Sequence, residues 1–332
     1  MTTAVVRALG ALAHETAHAR SGPRCGCPPP VVLADRADGT VVRCGPVVAK
    51  AHAAGTDAAA LSARLGLAAG PGLAGVLLAP LPVRPVGGDV ASPHLIELHG
   101  RPVTLWPYGE PVDPGDPDAA PWEAAAGLLA RLHRAGGRTG SAWPEPPAMR
   151  GPAKAALAVA RMRAARPGEQ ATAAVLEAWR GLPPWARDEA PAPAHRAHFL
   201  CHGDLHLGQL VRHPAPHGPW LLIDVDDAGR GEPAWDLARP AAWYAAGLLP
   251  PGVWFRFLDA YRAAGGPAVR ADGDPWPELD VAARALTVQT AALALAKSAA
   301  EHRVPDAVEQ VMIDACARIA ALPPELTAEH SS

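Results

Sequence analysis

Short β-like runs fill most of the first hundred residues, whereas long helical patterns fill most of the chain after them. The early runs are rich in valine and leucine and are separated by turn signals such as Asp38-Gly39, which is typical of hairpins. The later patterns repeat at helical spacing and are punctuated by proline and glycine. This order predicts an α+β fold with two lobes. Residues 1–106 form a small antiparallel β lobe, and residues 107–332 form a mainly helical lobe.

The individual elements follow from the same patterns. Strands are predicted at 31–36, 41–45, 47–52, 94–100, 101–109, 198–203 and 220–226. Helices are predicted at 3–20, 57–69, 121–135, 151–165, 170–181, 235–247, 252–264, 277–302 and 305–321.

Composition excludes several classes of protein. Hydrophobic residues make up 49% of the chain and charged residues 19%, which is the balance of a globular protein. A formal net charge of −3 gives no basic excess for nucleic acid. No uninterrupted apolar run reaches the length of a membrane span, and the charged N-terminus differs from a secretory signal. The odd number of cysteines, five, predicts free thiols and a cytoplasmic location.

Polar side chains cluster after two β-like runs in the second half of the chain. Asp204 and Gln209 follow the first run, and Asp224 follows the second. Two loops that each leave the end of a strand can bring these three side chains together. Phosphoryl transfer needs a carboxylate that orients and deprotonates a hydroxyl, together with oxygen ligands for Mg²⁺ on the nucleotide phosphates. The trio therefore predicts phosphoryl transfer.

The same residues carry a family resemblance. "HGDLHLGQ" followed by "LIDVDDAGRGEPAWDLA" resembles the catalytic and metal-binding segments of the aminoglycoside phosphotransferase-like branch of the protein-kinase-like fold. The resemblance implies that Asp204 is the catalytic carboxylate, that Asp224 is a metal ligand, and that Asp236 is buried and braces the catalytic loop. Most of that family has asparagine at the position of Gln209, whereas related maltose and glucosamine kinases have glutamine there, as this chain does. Glutamine keeps the carbonyl oxygen for Mg²⁺ and leaves a sugar open as acceptor.

The first lobe adds candidate nucleotide-binding residues. Lys50 lies on the third predicted strand, where the family places the lysine that contacts ATP phosphates. "LWPYGEP" (105–111) falls where the connection between the lobes is expected, so Trp106 or Tyr108 would line an adenine pocket. The phosphate loop has a single glycine, in agreement with the aminoglycoside-type branch. The helix after Lys50 contains no glutamate to pair with the lysine, and Asp57 is the only carboxylate near it.

Other polar residues of the two motifs have less specific interpretations. His202 is expected to form hydrogen bonds within the catalytic loop. His206 fits equally a packing role and a contact with the acceptor. Asp226 and Asp227 are interpreted as loop-capping residues, with a second metal contact as the alternative.

Two other functions compete with the kinase hypothesis. His14, Glu15 and His18 match H-E-x-x-H, which places two imidazoles around zinc in hydrolases, although a solvated helix face explains the short motif better. Cys25 and Cys27 are interpreted as incidental thiols rather than metal ligands. A degenerate kinase fold that binds a nucleotide or a partner without catalysis is the second alternative. The lack of a glutamate partner for Lys50 favours this alternative, whereas the presence of Asp204 and Asp224 counts against it.

The sequence thus predicts a cytoplasmic small-molecule kinase that depends on ATP and Mg²⁺ and binds neither nucleic acid nor membrane. It would transfer the γ-phosphate to a hydroxyl of an aminoglycoside, an amino sugar or a sugar. The choice among these acceptors, GTP as an alternative donor and the oligomeric state are left open by the sequence.

Overall fold

The structure is a computed structural model that describes residues 2–18, 28–36, 38–83, 92–136, 146–165, 170–194 and 197–322. Cys25 and Cys27 lie outside these residues. The chain divides into two compact units. The first unit comprises Met1–Ala120, Ala142–Pro147 and Gly208–Asp226, and the second comprises Pro121–Ser141, Ala148–Leu207 and Asp227–Ser332. The predicted lobes, 1–106 and 107–332, are continuous, whereas these units are not, because residues 208–226 belong to the first unit.

The elements are numbered in chain order. The described strands are β1 (Val31–Asp35), β2 (Gly39–Cys44), β3 (Val47–His52), β4 (Ile96–Leu98), β5 (Arg101–Pro107), β6 (Glu110–Pro111), β7 (Phe199–Cys201), β8 (Leu210–Arg212), β9 (Trp220–Leu222) and β10 (Gly229–Gly231). The described α-helices are α1 (Thr2–Ala17), α2 (Ala58–Ala69), α3 (Trp122–Gly136), α4 (Gly151–Ala165), α5 (Gln170–Arg180), α6 (Ala234–Ala245), α7 (Pro251–Ala263), α8 (Trp276–Ala300) and α9 (Ala307–Ala320).

A five-stranded antiparallel sheet in the order β1-β2-β3-β5-β4 forms the centre of the first unit. Side chains alternate between its faces, so residues two apart on a strand share a face. His99 and Gly100 both have positive φ, 53° and 71°, which is the backbone of a tight two-residue turn between β4 and β5. The predicted antiparallel N-terminal sheet is confirmed.

Two helices belong to this unit. Val5, Leu9 and Ala13 recur at helical spacing on α1 and are buried in one hydrophobic cluster with residues of the sheet. Helix α2 begins at Asp57, whose carboxylate accepts hydrogen bonds from the backbone N–H groups of Ala59 and Ala60. Asp57 is therefore a helix N-cap residue. In a second small sheet, in the order β6-β8-β9, Gln209 directly precedes β8 and Asp224 lies two residues after the end of β9.

The second unit is mainly helical, as predicted. Helix α8 packs against α4, α6 and α9, and α3 packs against α7 and β7. Strands β7 and β10 pair antiparallel at the start of the catalytic loop. Of the described helices, α8 alone passes a test of length and mean hydropathy for crossing a bilayer. Since 67% of its most apolar window is buried inside the protein, α8 has the character of a core helix.

Candidate active site

The first unit brings Lys50 to Asp224, although 174 residues separate them in sequence. Lys50 projects from β3, and its Nζ lies 2.7 Å from Asp224 Oδ1 and 3.0 Å from Asp226 Oδ2. We call these three residues the Lys50 bridge. Burial alone would lower the pKa of the Lys50 ammonium, but the two carboxylates outweigh burial and raise it. Lys50 is therefore a fixed positive charge near neutral pH.

A chain of hydrogen bonds continues from the Lys50 bridge into the sheet. His52 Nδ1 lies 2.9 Å from Asp226 Oδ2, and His52 Nε2 lies 3.0 Å from Thr104 Oγ1. Thr104 Oγ1 also accepts a hydrogen bond of 2.9 Å from Trp106 Nε1. Burial would raise the pKa of Asp226, but Lys50 and His52 outweigh it and hold that pKa below its usual range. Asp226 is thus an ionised partner of Lys50 rather than a loop cap.

Gln209 and Asp224 supply oxygen ligands of the kind that Mg²⁺ prefers. The Gln209 side-chain nitrogen lies 3.5 Å from Asp224 Oδ2, and half a turn of the amide presents its carbonyl oxygen instead. The Gln209 backbone carbonyl accepts a hydrogen bond of 2.9 Å from Ile223 N, which ties the loop of Gln209 to the residue before Asp224. A carboxylate and an amide carbonyl on adjoining loops are a suitable donor set for Mg²⁺. The residues present therefore fit the predicted metal.

The backbone at Asp224 is unusual. Its φ is +64°, in the left-handed region that non-glycine residues rarely adopt. Such a conformation costs on the order of 1 kcal/mol and is concentrated at functional sites, where surrounding structure holds it in place. Here it directs the carboxylate toward Lys50 and Gln209, directly after β9.

Trp106 and Tyr108, the candidates for an adenine pocket, have different surroundings. Trp106 is buried on β5, where its indole N–H is bound to Thr104. Tyr108 lies at the partly exposed end of that strand, with the Arg43 guanidinium 3.3 Å from its ring centroid. Its hydroxyl donates a hydrogen bond of 3.1 Å to Glu110. A role for either ring in adenine binding stays a prediction.

The second unit contains Asp204, in the loop after β7. Lys154 Nζ, on α4, lies 2.7 Å from Asp204 Oδ2 and 2.6 Å from Asp227 Oδ2. We call these three residues the Lys154 bridge. Arg239 of α6 donates from Nη2 to Asp204 Oδ1 at 2.9 Å, so each oxygen of Asp204 has a cationic partner.

The two carboxylates of the Lys154 bridge differ in their affinity for protons. Burial would raise the pKa of Asp204, but Lys154 outweighs it, with a contribution from Arg239, and the pKa falls to about 2. Burial raises the pKa of Asp227, although Lys154 opposes this, and the charge of Asp204 acts in the same direction as burial. Of the two carboxylates, Asp204 therefore binds a proton less readily.

Asp236 lies beneath the catalytic loop, in the first turn of α6. Its Oδ2 accepts hydrogen bonds from His202 N at 2.6 Å and from His133 Nε2 at 2.9 Å, and its Oδ1 accepts one from Gly203 N at 2.7 Å. His133 is held in turn by the Tyr261 hydroxyl, 2.7 Å from Nδ1. A buried carboxylate that accepts several N–H groups fixes the path of the backbone that it binds. Asp236 thus holds the two residues that precede Asp204.

His133, Cys201 and Asp236 form the one described group of side chains that is close enough to share a metal ion, with ligand atoms within 4.8 Å of one another. Both Asp236 oxygens already accept hydrogen bonds. Burial, with the nearby Asp236 charge, raises the pKa of the Cys201 thiol, whereas metal binding requires the thiolate. This group is a hydrogen-bonded brace.

The H-E-x-x-H motif has little support. His14 and His18 lie near the end of α1 with ring centroids 4.7 Å apart. Among the described residues, these two histidines and Glu15 are not part of a group that converges on a shared metal position. The structure therefore gives the zinc hypothesis no third ligand in the described part of the chain.

Several residues of these clusters escape motif analysis. Lys154 and His52 lie far from the two motifs in sequence, Arg239 directly follows the second motif, and nothing in their local pattern marks any of them. The small number of lysines in the chain is a sequence signal that could have identified Lys154. The chain has three lysines, and two of these, Lys50 and Lys154, each bridge two aspartates.

Comparison with known proteins gives a family match. The family model described as APH, phosphotransferase enzyme family, matches residues 63–279, which is more than half of the chain. This range includes Asp204, Gln209, Asp224 and Lys154. Among curated proteins, none matches the sequence.

Solved structures are similar over nearly the whole chain. A choline/ethanolamine kinase family protein from Mesorhizobium loti superposes with a TM-score of 0.58 at 16% identity, covering 98% of this chain and 97% of that one. A thermostable mutant of aminoglycoside phosphotransferase APH(4)-Ia, in a complex with AMP-PNP and hygromycin B, has a TM-score of 0.58 at 13% identity and coverages of 93% and 99%. Spectinomycin phosphotransferase APH(9)-Ia, with ADP and spectinomycin, has a TM-score of 0.53 at 12% identity and coverages of 92% and 93%. At these identities the likeness establishes the fold, which is the protein-kinase-like fold expected from the sequence.

Proposed function

Because the chain belongs to the phosphotransferase enzyme family, we propose that it transfers the γ-phosphate of ATP to a hydroxyl of a small molecule, with Mg²⁺ as cofactor. Family membership confirms the family resemblance found in the sequence and the prediction of a small-molecule phosphotransferase. The observation that carries the finer proposal is the assembly of Lys50, Gln209 and Asp224 in the first unit. It combines a fixed cation with a carboxylate and an amide that can offer oxygen ligands to Mg²⁺, and nucleotide phosphates require both a cation and a metal.

The nucleotide-binding groups in this proposal belong to the first unit. Lys50 would contact the phosphates, for which a compact ammonium of raised pKa is suited. Asp224 and Gln209 would hold Mg²⁺, which when bound neutralises charge that develops on the phosphates. Solved complexes of similar fold contain AMP-PNP or ADP, which supports a nucleotide as the phosphate donor.

The acceptor-binding groups in this proposal belong to the second unit. Asp204 is ionised near neutral pH and, with a pKa of about 2, is a weak base. Its principal role would therefore be to accept a hydrogen bond from the acceptor hydroxyl and to align the oxygen for attack, with proton transfer late in the reaction. Lys154 and Arg239 fix both oxygens of the carboxylate, so a hydroxyl would meet Asp204 in a single orientation.

The proposed acceptor is an aminoglycoside, an amino sugar or a sugar. Hygromycin B and spectinomycin occupy two of the similar structures, which supports the first class. Gln209 in the catalytic loop supports the sugars, through its resemblance to sugar-kinase loops. The acidic loop at 113–120 does not favour a cationic acceptor. Asp113 and Asp116 instead accept hydrogen bonds from backbone N–H groups of their own turn.

Release of ADP from MgATP, measured across a panel of aminoglycosides, amino sugars and sugars, tests the proposal. We expect turnover that one acceptor class stimulates and that falls by about 10³-fold in Asp204→Ala, since a positioned carboxylate contributes about that much. Asp259→Ala, a change at an exposed aspartate of α7, is the matched control and should retain the wild-type rate.

Two outcomes would contradict the proposal. Binding of MgATP without turnover on any acceptor would support the catalytically degenerate alternative. Stoichiometric zinc that is lost in His18→Ala together with a hydrolytic activity would support the zinc hydrolase.

A further inference from the structure

We propose that Asp226, held by His52, is the carboxylate that fixes the Lys50 ammonium for nucleotide binding. Helix α2 cannot supply this partner, because Ala58–Ala69 contains no acidic residue and Asp57 is engaged as the N-cap. The inference rests on the proposed function, in which Lys50 contacts the phosphates of ATP.

Sheet geometry places the supporting side chains on one face. Lys50 and His52 are two residues apart on β3, and Thr104 and Trp106 are two apart on β5. Lys50 pairs directly with Thr104 across the two antiparallel strands. Since alternate residues of a strand point to the same side, all four project from the same face of the sheet. Asp226 meets this face with one oxygen, Oδ2, which contacts both Lys50 and His52.

Counting donors and acceptors assigns a direction to the chain of hydrogen bonds. The Trp106 indole can only donate, so Thr104 Oγ1 accepts from it and has its own hydroxyl proton left to donate. Asp226 is ionised and can only accept, so Nδ1–H of His52 donates to it and Nε2 is left to pair with Thr104 Oγ1. An imidazole with a proton on Nδ1 therefore satisfies all partners. His52 is 1% exposed, so water does not compete effectively for these bonds.

Asp224 is less suited to this positioning role. In the proposed function its carboxylate binds Mg²⁺, and a carboxylate shared with a divalent cation attracts a neighbouring ammonium less strongly. Asp226 is then the partner that can hold Lys50 whether or not Asp224 is engaged. The two acidic residues of the Lys50 bridge would thus divide metal binding and lysine positioning between them.

Affinity for MgATP, measured by calorimetry on the full chain, tests the role of Asp226. Loss of one charge-assisted contact to Lys50 should weaken binding by about tenfold in Asp226→Asn. Asp57→Asn is the matched control, since asparagine also caps a helix and Asp57 does not contact Lys50. It should bind as the wild type does.

A pair of His52 variants separates positioning from simple packing. Asparagine places its side-chain N–H group near the position of Nδ1, and glutamine places it near Nε2. We therefore expect His52→Asn to retain most of the affinity for MgATP and His52→Gln to lose about as much as Asp226→Asn, about tenfold. A packing role predicts the opposite order, because glutamine fills more of the space. Thermal unfolding of each variant establishes that it is folded.

The outcomes distinguish the two proposals. If Lys50→Met binds MgATP as tightly as the wild type, the proposed function and this inference are both overturned. If Lys50→Met loses affinity while Asp226→Asn matches Asp57→Asn, the inference alone is overturned. An affinity for MgATP that is equal in His52→Asn and His52→Gln would also overturn it.

Discussion

The Lys50 bridge and the Lys154 bridge share a chemical plan, in which one ammonium joins two aspartates, but their supports differ. Lys50 stands on the middle strand of a sheet, and its partner Asp226 is tied through His52 to buried residues of the next strand. Lys154 stands on a helix, and its partner Asp204 is held by a second side chain, Arg239, from another helix. The lysine side chains are 16% and 25% exposed, respectively.

This difference corresponds to the ligands that we propose for each unit. A sheet-mounted cation with buried hydrogen-bond support has little freedom, which suits a ligand of constant geometry such as a nucleotide phosphate. Helix-mounted groups around Asp204 can be changed by substitution on α4 or α6 without disturbing a sheet. That arrangement suits an acceptor site, which must differ between enzymes with different substrates.

The largest expected effect concerns the brace beneath the Lys154 bridge. Asp236→Ala would remove the acceptor of the buried N–H groups of His202 and Gly203 and the partner of His133 Nε2. We expect a loss of ~3–5 kcal/mol in the free energy of unfolding. Urea unfolding followed by tryptophan fluorescence measures it, with Asp259→Ala as an exposed control expected within ~0.5 kcal/mol of wild type. A loss below ~1 kcal/mol would show that the brace is not needed.

The next effect separates the roles of the two lysines. Lys154→Met should lower kcat by about 10²-fold, because Asp204 Oδ2 would lose its cationic partner and Arg239 alone would hold the carboxylate, and should leave the Kd for MgATP within about twofold. Lys50→Met should instead weaken MgATP binding. Lys297→Met, at the remaining lysine on α8, should change neither quantity. Comparable loss of MgATP affinity in both bridge variants would remove the distinction between the bridges.

The smallest effect is a dependence of stability on pH. The pKa of Asp204 in the folded protein, about 2, is below its ordinary value of 3.8. Its contribution is therefore present above pH 4 and is lost as the pH falls toward 2, and amounts to ~2 kcal/mol. The difference in unfolding free energy between wild type and Asp204→Asn should be constant from pH 7 to pH 5 and should shrink below pH 4. A difference that is unchanged at pH 3 would mean that Lys154 does not stabilise the ionised form.

Local pattern was sufficient for the architecture, whereas the roles of the motif residues stay predictions. The hairpins of the first sheet are set by turns such as His99-Gly100, whose required backbone can be read from sequence. Apolar residues recur at helical spacing over three turns or more, so the helices were predictable from the sequence. Strands β6, β8 and β10 were not predicted; β6 contains a proline and β10 contains two glycines, and both residue types are depleted in strands.

Tertiary contacts account for what local pattern missed. Lys154 and Asp227 are 73 residues apart, and only the packing of α4 brings them together. Local sequence favours a loop cap at Asp226, whereas Lys50, 176 residues away in sequence, pairs with it in the fold. Asp57 was the nearest acidic residue to Lys50 in sequence, yet its carboxylate is used at the start of α2.

The glycine before Asp204 has a consequence for how this enzyme can diverge. Gly203 has φ +84°, and a Cβ there would collide with the backbone oxygen of Asp227. A shift of either backbone segment therefore demands a matching shift of the other, so insertions or deletions in one loop are tolerated only with compensation in the second. Lineages that acquire new substrates would be expected to keep both loops at constant length and to vary the helix surfaces around them.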